Sequence, residues 1–372
     1  MTDDRGAGGI ASPAAPAPGA AEASDDRLAA ARRRLDRLWA RGCAFLGCER
    51  AIMGGAMTWV SERNLVAAIS NGGGFGVLAS GSMPPELLEA EINATRALTD
   101  RPFGVNLITL HPQLDTLIDL CLDMGVSHIV LAGGLPRGNA IQRIKAGGAR
   151  LMCFAPAPAI ARKLVRDGVD ALIIEGAEAG GHIGPVATSV LAQEILPLIR
   201  EVPVFVAGGI GRGEAILTYL EMGAAGCQLG SRFVCATESI AHPNFKRAFL
   251  RASARDAVPS VQLDPRLPVI PVRALVNKAT EEFAAHQRRL IAELDAGRIA
   301  LRDAQLAVEH FWAGALRRAV VEGDVERGSL MAGQSVGMVN DEKPTREILD
   351  ELTDQAVRAL LARAEADAAA HA

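Results

Sequence analysis

Aromatic residues are scarce in this chain: one tyrosine, three tryptophans and ten phenylalanines, 4% of 372 residues. That scarcity argues against an all-β sandwich. The apolar share of 49%, dominated by Ala, Gly, Leu and Val, suits a parallel sheet wrapped in helices. The six cysteines show no Cys-x-x-Cys spacing, and no histidine lies at ligand spacing from a cysteine pair, so no metal site is expected. Buried free thiols in a reducing compartment account for them. Charge of one sign is also missing: 39 basic against 43 acidic residues, spread along the chain, leave no polybasic footprint for nucleic acid or anionic lipid. No window reaches the roughly 18 uninterrupted apolar residues of a membrane span. The opening Met-Thr-Asp-Asp-Arg has no signal-peptide core. A cytoplasmic globular protein is expected, with no nucleic-acid or membrane partner.

Residues 1–24 are almost entirely Ala, Pro, Gly and Ser, which predicts a disordered tail. A helix over 25–43 follows, signalled by Ser24 as N-cap, acidic residues in the first turn and basic residues later. A regular alternation then begins. Strand-like runs start at Ala51, Gly74, Phe103, His128, Arg150, Ala171, Val204 and Gly226, about 20 to 32 residues apart, with helical segments such as Glu62–Ser70, Pro85–Leu98 and Glu214–Met222 between them. Eight such repeats predict a (β/α)8 TIM barrel over 44–237, with an open doubly wound sheet as the structural alternative. A helical appendage is expected over 238–340, with helices at 238–258 and 279–322, and a C-terminal helix over 341–372.

Glycines cluster where the strands should end, the end at which barrel proteins bind ligands. Glu175-Gly-Ala-Glu-Ala-Gly-Gly-His182-Ile-Gly184 follows the sixth run and places a histidine among four glycines. Val206-Ala-Gly-Gly-Ile-Gly211 ends the seventh run and Gln228-Leu-Gly-Ser231 the eighth, where backbone N–H groups and the Ser231 hydroxyl can face a phosphate. Gly54-Gly55-Ala56-Met57 ends the first, so small residues open that side of the mouth to a flat ring. Asn106 is a polar residue in an apolar strand; it meets either a ligand or neighbouring backbone. Gly328–Val339 is an irregular glycine-rich segment whose Ser and Gln donors suit a lid returning to the mouth.

These segments together resemble the nitronate monooxygenases, formerly 2-nitropropane dioxygenases, and the related flavin-dependent enoyl-acyl-carrier-protein reductases. The matching motifs are Gly54–Met57, Gly104-Val-Asn106, Glu175–Gly184, Ala207-Gly-Gly-Ile210, Gln228–Ser231 and Met331-Ala-Gly-Gln334. The resemblance implies a barrel that holds FMN, with its phosphate at Gly208, Gly209, Gly230 and Ser231 and its ring system near Met57, Asn106 and Gly180. It also implies cofactor contacts from Gly55, Ala56, Glu175 and Gln228, substrate or lid roles for Met331 and Gln334, and His182 as the catalytic residue facing substrate. Many nitronate monooxygenases carry glutamine at the position of Glu175, whereas the reductase branch carries glutamate.

The activity implied first is oxidation of an alkyl nitronate by O2 to a carbonyl compound and nitrite, with His182 donating a hydrogen bond to the anion or acting as base on a neutral nitroalkane. Reduction of an enoyl thioester with NAD(P)H is the alternative. An acidic acyl carrier protein would then call for a basic patch, for which Arg266, Arg273, Lys278, Arg317 and Arg318 are candidates. A phosphosugar isomerase or aldolase would need a lysine or carboxylate at a strand end, whereas Lys145 and Lys163 fall in helical segments. A non-catalytic flavin-binding protein is the reading from another class, and a homodimer is the assembly allowed for.

Overall fold

A computed structural model of the chain describes residues 18–370; the greater part of the expected N-terminal tail lies outside the described residues. Eight parallel strands form the central sheet: β1 (Ile52–Gly54), β2 (Gly76–Ala79), β3 (Phe103–Ile108), β4 (His128–Ala132), β5 (Arg150–Phe154), β6 (Ala171–Glu175), β8 (Val204–Ala207) and β9 (Gly226–Leu229). Hydrogen bonding runs in the order β1-β9-β8-β6-β5-β4-β3-β2. A parallel bridge between Met53 and Phe75 then joins the first strand to the last, with Phe75 N–H donating to Ile52 O at 2.9 Å and Gly54 N–H to Phe75 O at 2.9 Å. The sheet therefore closes into the (β/α)8 barrel, and the open doubly wound alternative is discarded. Nearly every strand residue is buried, because the barrel interior lies on one face and the helices on the other.

The end of the barrel at which the strands begin is plugged by aromatic rings. Phe75 and Phe205 are fully buried, and their partners are His128, 4.9 Å from Phe75, and Phe45, 5.4 Å from His128 and 6.1 Å from Phe205. Burial pushes His128 down to about 4, so its neutral imidazole donates from Nε2 to the Phe45 carbonyl at 2.9 Å. Phe45 comes from the N-terminal helix, which spans Pro18–Leu46 and so starts earlier and ends later than expected. That helix buries Leu35 and Trp39 and pairs Arg32 with Asp354 of the last helix, Thr345–Ala370, at 3.0 Å.

Beyond residue 237 the appendage is not wholly helical. The expected 238–258 helix is confined to Pro243–Arg251 and gives way to a 3-10 turn, Ala254–Asp256. Strand β10 (Ala257–Pro259) follows and pairs antiparallel with β11 (Val272–Leu275). β11 pairs in turn with β7 (Gly181–His182), a two-residue strand inserted between β6 and β8. The expected 279–322 helix is three helices, Lys278–Asp295, Leu301–His310 and Ala315–Val320. Gly297 (φ +66°) and Gly314 (φ +70°) break it, since a left-handed residue ends a helix. This unit has its own small core of Leu267, Phe283, Leu290, Ala304 and Val308, flanked by Phe311 and Trp312.

Candidate functional site

At the opposite end of the barrel, where the strands finish, register fixes which side chains share the interior. Glu175 of β6 lies beside Ala207 of β8, Ala207 beside Gln228 of β9, and Gln228 beside Met53 of β1. Across the barrel, Ala79, Asn106 and Val130 form the corresponding row on β2, β3 and β4. Three polar side chains thus stand on a ring of otherwise apolar ones. Asn106 donates from Nδ2 to the Val130 carbonyl at 3.1 Å, the backbone option, while its Oδ1 accepts no bond from any described residue. Gln228 is buried and Glu175 half-buried, and neither side chain has a hydrogen-bond or charge partner among the described residues. Desolvation pushes the Glu175 carboxyl up to about 8, so at neutral pH it is mostly the acid, a donor as well as an acceptor.

Glycines around this ring hold segments of backbone close together. Gly208 (φ +97°) and Gly209 (φ +71°) take left-handed conformations after β8, and a Cβ on Gly209 would lie 3.0 Å from Glu178 Cβ. Gly55 packs on Gly230 Cα, 3.4 Å from where its own Cβ would stand, while a Cβ on Gly230 would meet only Met57, at 3.6 Å or more. Ala56 and Met57 are half-buried beside them. Ser231 opens the short helix Ser231–Val234, and its Oγ accepts the Gly333 N–H at 2.9 Å, leaving the hydroxyl proton free to donate elsewhere. A Cβ on Gly180 would stand 2.5 Å from Gly333 N and 2.6 Å from Ala332 C.

The Met331–Gln334 segment therefore does return to the barrel mouth. Met331 bridges antiparallel to Ala274 beside β11, and Gln334 N–H donates to the Glu178 carbonyl at 2.9 Å. His182 stands on β7 opposite Val272, exposed, with no hydrogen-bond partner among the described residues. Partial burial of its ring pulls its pKa below the ordinary 6.5, so the imidazole is neutral at neutral pH. The predicted positions thus fall on one end of the barrel, with Gly180, Gly230, Ser231 and Met57 linked through direct contacts and His182 on the adjoining hairpin.

The contacts made by several further residues around this end are visible only in the structure. Glu178 Oε2 accepts the Thr188 N–H at 2.8 Å and the Thr188 hydroxyl at 2.9 Å, which satisfies the start of the Thr188–Ile195 helix and pins the 176–187 loop. The Gly176 position is forced to glycine because a Cβ there would enter Thr188. Arg273, buried on β11 opposite Gly181, donates to the Ala177 and Ala257 carbonyls at 2.8 and 2.5 Å and so bolts the small sheet to the loop below His182. Trp59, three residues into the turn after Ala56, is the one described non-glycine residue with left-handed φ (+69°), and the Arg317 guanidinium lies 5.8 Å from its ring centroid.

The five cations considered for a basic patch are divided among other tasks. Arg266 is neutralised by Asp264 (2.7 Å) and Asp295 (2.8 Å), Arg273 is buried, and Arg317 pairs with Glu322. Of these cations that are not buried, only Lys278 and Arg318 have no carboxylate partner among the described residues.

Comparison with known proteins gives the family and the fold. The family model described as nitronate monooxygenase matches residues 41–117 and 113–355. A (3aS,4S,5R,7aS)-5-hydroxy-7a-methyl-1-oxo-octahydro-1H-indene-4-carboxyl-CoA dehydrogenase of Mycobacterium tuberculosis is 31% identical, covering 84% of this chain and 94% of that protein. A nitronate monooxygenase of Paraburkholderia phytofirmans is 30% identical over 63% of this chain and 76% of its own length. Among solved structures, FabK from Thermotoga maritima superposes with a TM-score of 0.77 at 34% identity, covering 86% of this chain and 96% of that one.

Proposed function

Starting from the fact that the chain belongs to the nitronate monooxygenase family, and is thereby an oxidoreductase of the flavin type, we propose that it binds FMN at the strand ends and oxidises a carbon acid held as a coenzyme A-type thioester. The residues fit that cofactor. The side-chain-free surfaces of Gly55 and Gly230, with the free hydroxyl proton of Ser231 and the left-handed Gly208 and Gly209, suit one phosphate and a close backbone approach. Asn106 Oδ1, Gln228 and the protonated Glu175 supply unused polar groups for a ring edge and a polyol chain. A single phosphate cradle favours FMN over FAD. When bound, FMN supplies a two-electron acceptor.

The observation that carries the reading is His182: exposed, without a hydrogen-bond partner among the described residues, and shifted by partial burial toward the neutral form. A neutral imidazole is a base, suited to taking the proton from a carbon made acidic by an adjacent carbonyl or nitro group. An anionic nitronate would be met better by an imidazolium, and desolvation opposes that charge here. Similarity supports the same order, since the relatives named as CoA dehydrogenases are 30–31% identical over 84% of the chain and those named as nitronate monooxygenases 26–30% identical over 63–80%. The dispersed cations argue for a small carrier rather than an acidic carrier protein. Oxidation of alkyl nitronates by O2 stands as the second reading, on the family description and the Paraburkholderia relative.

Two measurements test this. Heat-released chromophore should have the mass of FMN; stoichiometric FAD, or a colourless protein, refutes the cofactor. Turnover of an acyl-CoA with an artificial electron acceptor should exceed turnover of propyl nitronate under air. The reverse order would install the nitronate reading.

A further inference from the structure

The N-terminal helix ends at Leu46 with Gly47 in the left-handed conformation (φ +73°). Cys48 N–H reaches back to the Cys43 carbonyl at 3.2 Å, and Gly47 N–H bonds the same carbonyl at 2.8 Å. A backbone bond from the second residue past the helix to the fifth residue before it is the closure of a Schellman-type end, and it brings the side chains of those two positions into contact. In most helices that contact is a pair of aliphatic side chains. Here both positions are cysteine.

The thiols are turned the same way. Cys43 Sγ lies 3.4 Å from the Glu49 carbonyl and Cys48 Sγ 3.1 Å from the adjacent Arg50 carbonyl. They also interact directly with one another, which lowers the pKa of Cys43 and raises that of Cys48. Both are half-buried, whereas Cys121, Cys153, Cys227 and Cys235 are buried. The pair therefore combines contact, access and unequal acidity, and the other four thiols are buried, with no thiol partner among the described residues.

We infer that Cys43 and Cys48 form an oxidation site: a dithiol that small disulfides such as oxidised glutathione convert into an intramolecular disulfide. Cys43 thiolate attacks one sulfur of the small disulfide, forming a mixed disulfide and releasing one thiol. Cys48 then attacks Cys43 sulfur, its proton leaves with the second released thiol, and the protein bond closes. Two protein thiols are oxidised and one small disulfide is reduced to two thiols. The bond would span Ala44–Gly47, the turn that carries the Phe45 plug at the base of the barrel. It would fix the helix to the barrel at the end away from the flavin site.

The test uses the full-length protein with its cofactor, incubated with oxidised glutathione. Intact mass should fall by about 2 Da, peptide mapping should join Cys43 to Cys48, and the melting temperature should rise by about 2–5 °C. Cys48→Ser should stop at a stable glutathione adduct on Cys43, whereas Cys43→Ser, which removes the attacking thiol, should form an adduct far more slowly. Stable adducts on the unaltered protein, a bridge to another cysteine or another chain, or persistence of both free thiols overturns the assignment.

Discussion

Replacing Gly180 by alanine is the sharpest probe of how the Met331–Gln334 segment closes over the strand ends. The added methyl would stand 2.5 Å from Gly333 N, 2.6 Å from Ala332 C and 3.0 Å from Ala332 Cα. All three are backbone atoms that no rotamer change can withdraw, so the segment must move about 1 Å to restore ordinary contact near 3.5 Å. Two hydrogen bonds depend on its present position, Gly333 N–H to Ser231 Oγ at 2.9 Å and Gln334 N–H to the Glu178 carbonyl at 2.9 Å. Overpacking costs about 1–3 kcal/mol, and each of the two weakened bonds about 1 kcal/mol, giving a loss of about 3–5 kcal/mol. For a chain of this size that lowers the melting temperature by roughly 4–6 °C. Thermal unfolding read by far-UV circular dichroism measures it, and flavin retention on a desalting column reads the site in parallel. A Gly180→Ala protein that melts with the unaltered chain and keeps its flavin would show that the segment is not held against Gly180, and the reasoning fails.

Further outcomes follow from the same contacts. Ser231→Ala removes the acceptor of the buried Gly333 N–H and the donor proposed for phosphate, so flavin affinity should fall by about 1–2 kcal/mol, read as a roughly 5- to 30-fold rise in Kd; unchanged affinity removes Ser231 from the site. Gly209→Val adds a left-handed β-branched residue against Glu178 and should abolish flavin retention; a yellow variant would refute the cradle. Glu175 has its native pKa raised, to about 8 from an ordinary 4.5, so between those values the unfolded chain binds fewer protons than the native one and stability falls as pH rises. Glu175→Gln should flatten that slope and stabilise the flavin-free protein by about 2–3 kcal/mol at pH 8, because the carboxyl's partial contact with water limits the full linkage value; unfolding free energies from urea titrations that change equally between pH 5 and 8 in both proteins would contradict it. His182→Ala should keep fold and flavin and lose about 10²–10⁴ in rate, and the acid limb of the unaltered enzyme's pH profile should have its midpoint below 6.5.

The barrel was legible because parallel strands buried on both faces write themselves as unbroken apolar runs; Phe103–Ile108, His128–Ala132 and Val204–Ala207 fall where those runs do. What the sequence hid is made by pairing across long separations. β7 is two residues of a glycine-rich loop, and nothing in Gly181-His182 marks it as a strand until Val272 and Arg273 lie beside it. The 279–322 stretch kept helical periodicity through Gly297 and Gly314, and only their left-handed φ reveals the breaks. At the site, glycine clusters located the strand ends because close backbone approach requires them. Glu178, Thr188 and Arg273 left no such mark, since their partners are carbonyl and N–H groups whose identity depends on the fold and not on residue type.

The position of His182 on β7 separates two jobs that the sequence motif joins. The glycines and polar side chains proposed to hold the cofactor stand at the ends of β1, β3, β6, β8 and β9, all fixed by the barrel's own hydrogen bonds. His182 is hydrogen-bonded in a sheet with β11, which is followed directly by the separately cored helical unit and is bolted to the loop by Arg273. Changes in the 257–330 region can therefore reshape what the imidazole faces while the cradle stays intact. That division would let one cofactor cradle serve more than one substrate. It also directs the search for this chain's substrate preference to the surface between Trp59 and Arg317, where a strained barrel loop meets the appended helices, and away from the glycines that first drew attention.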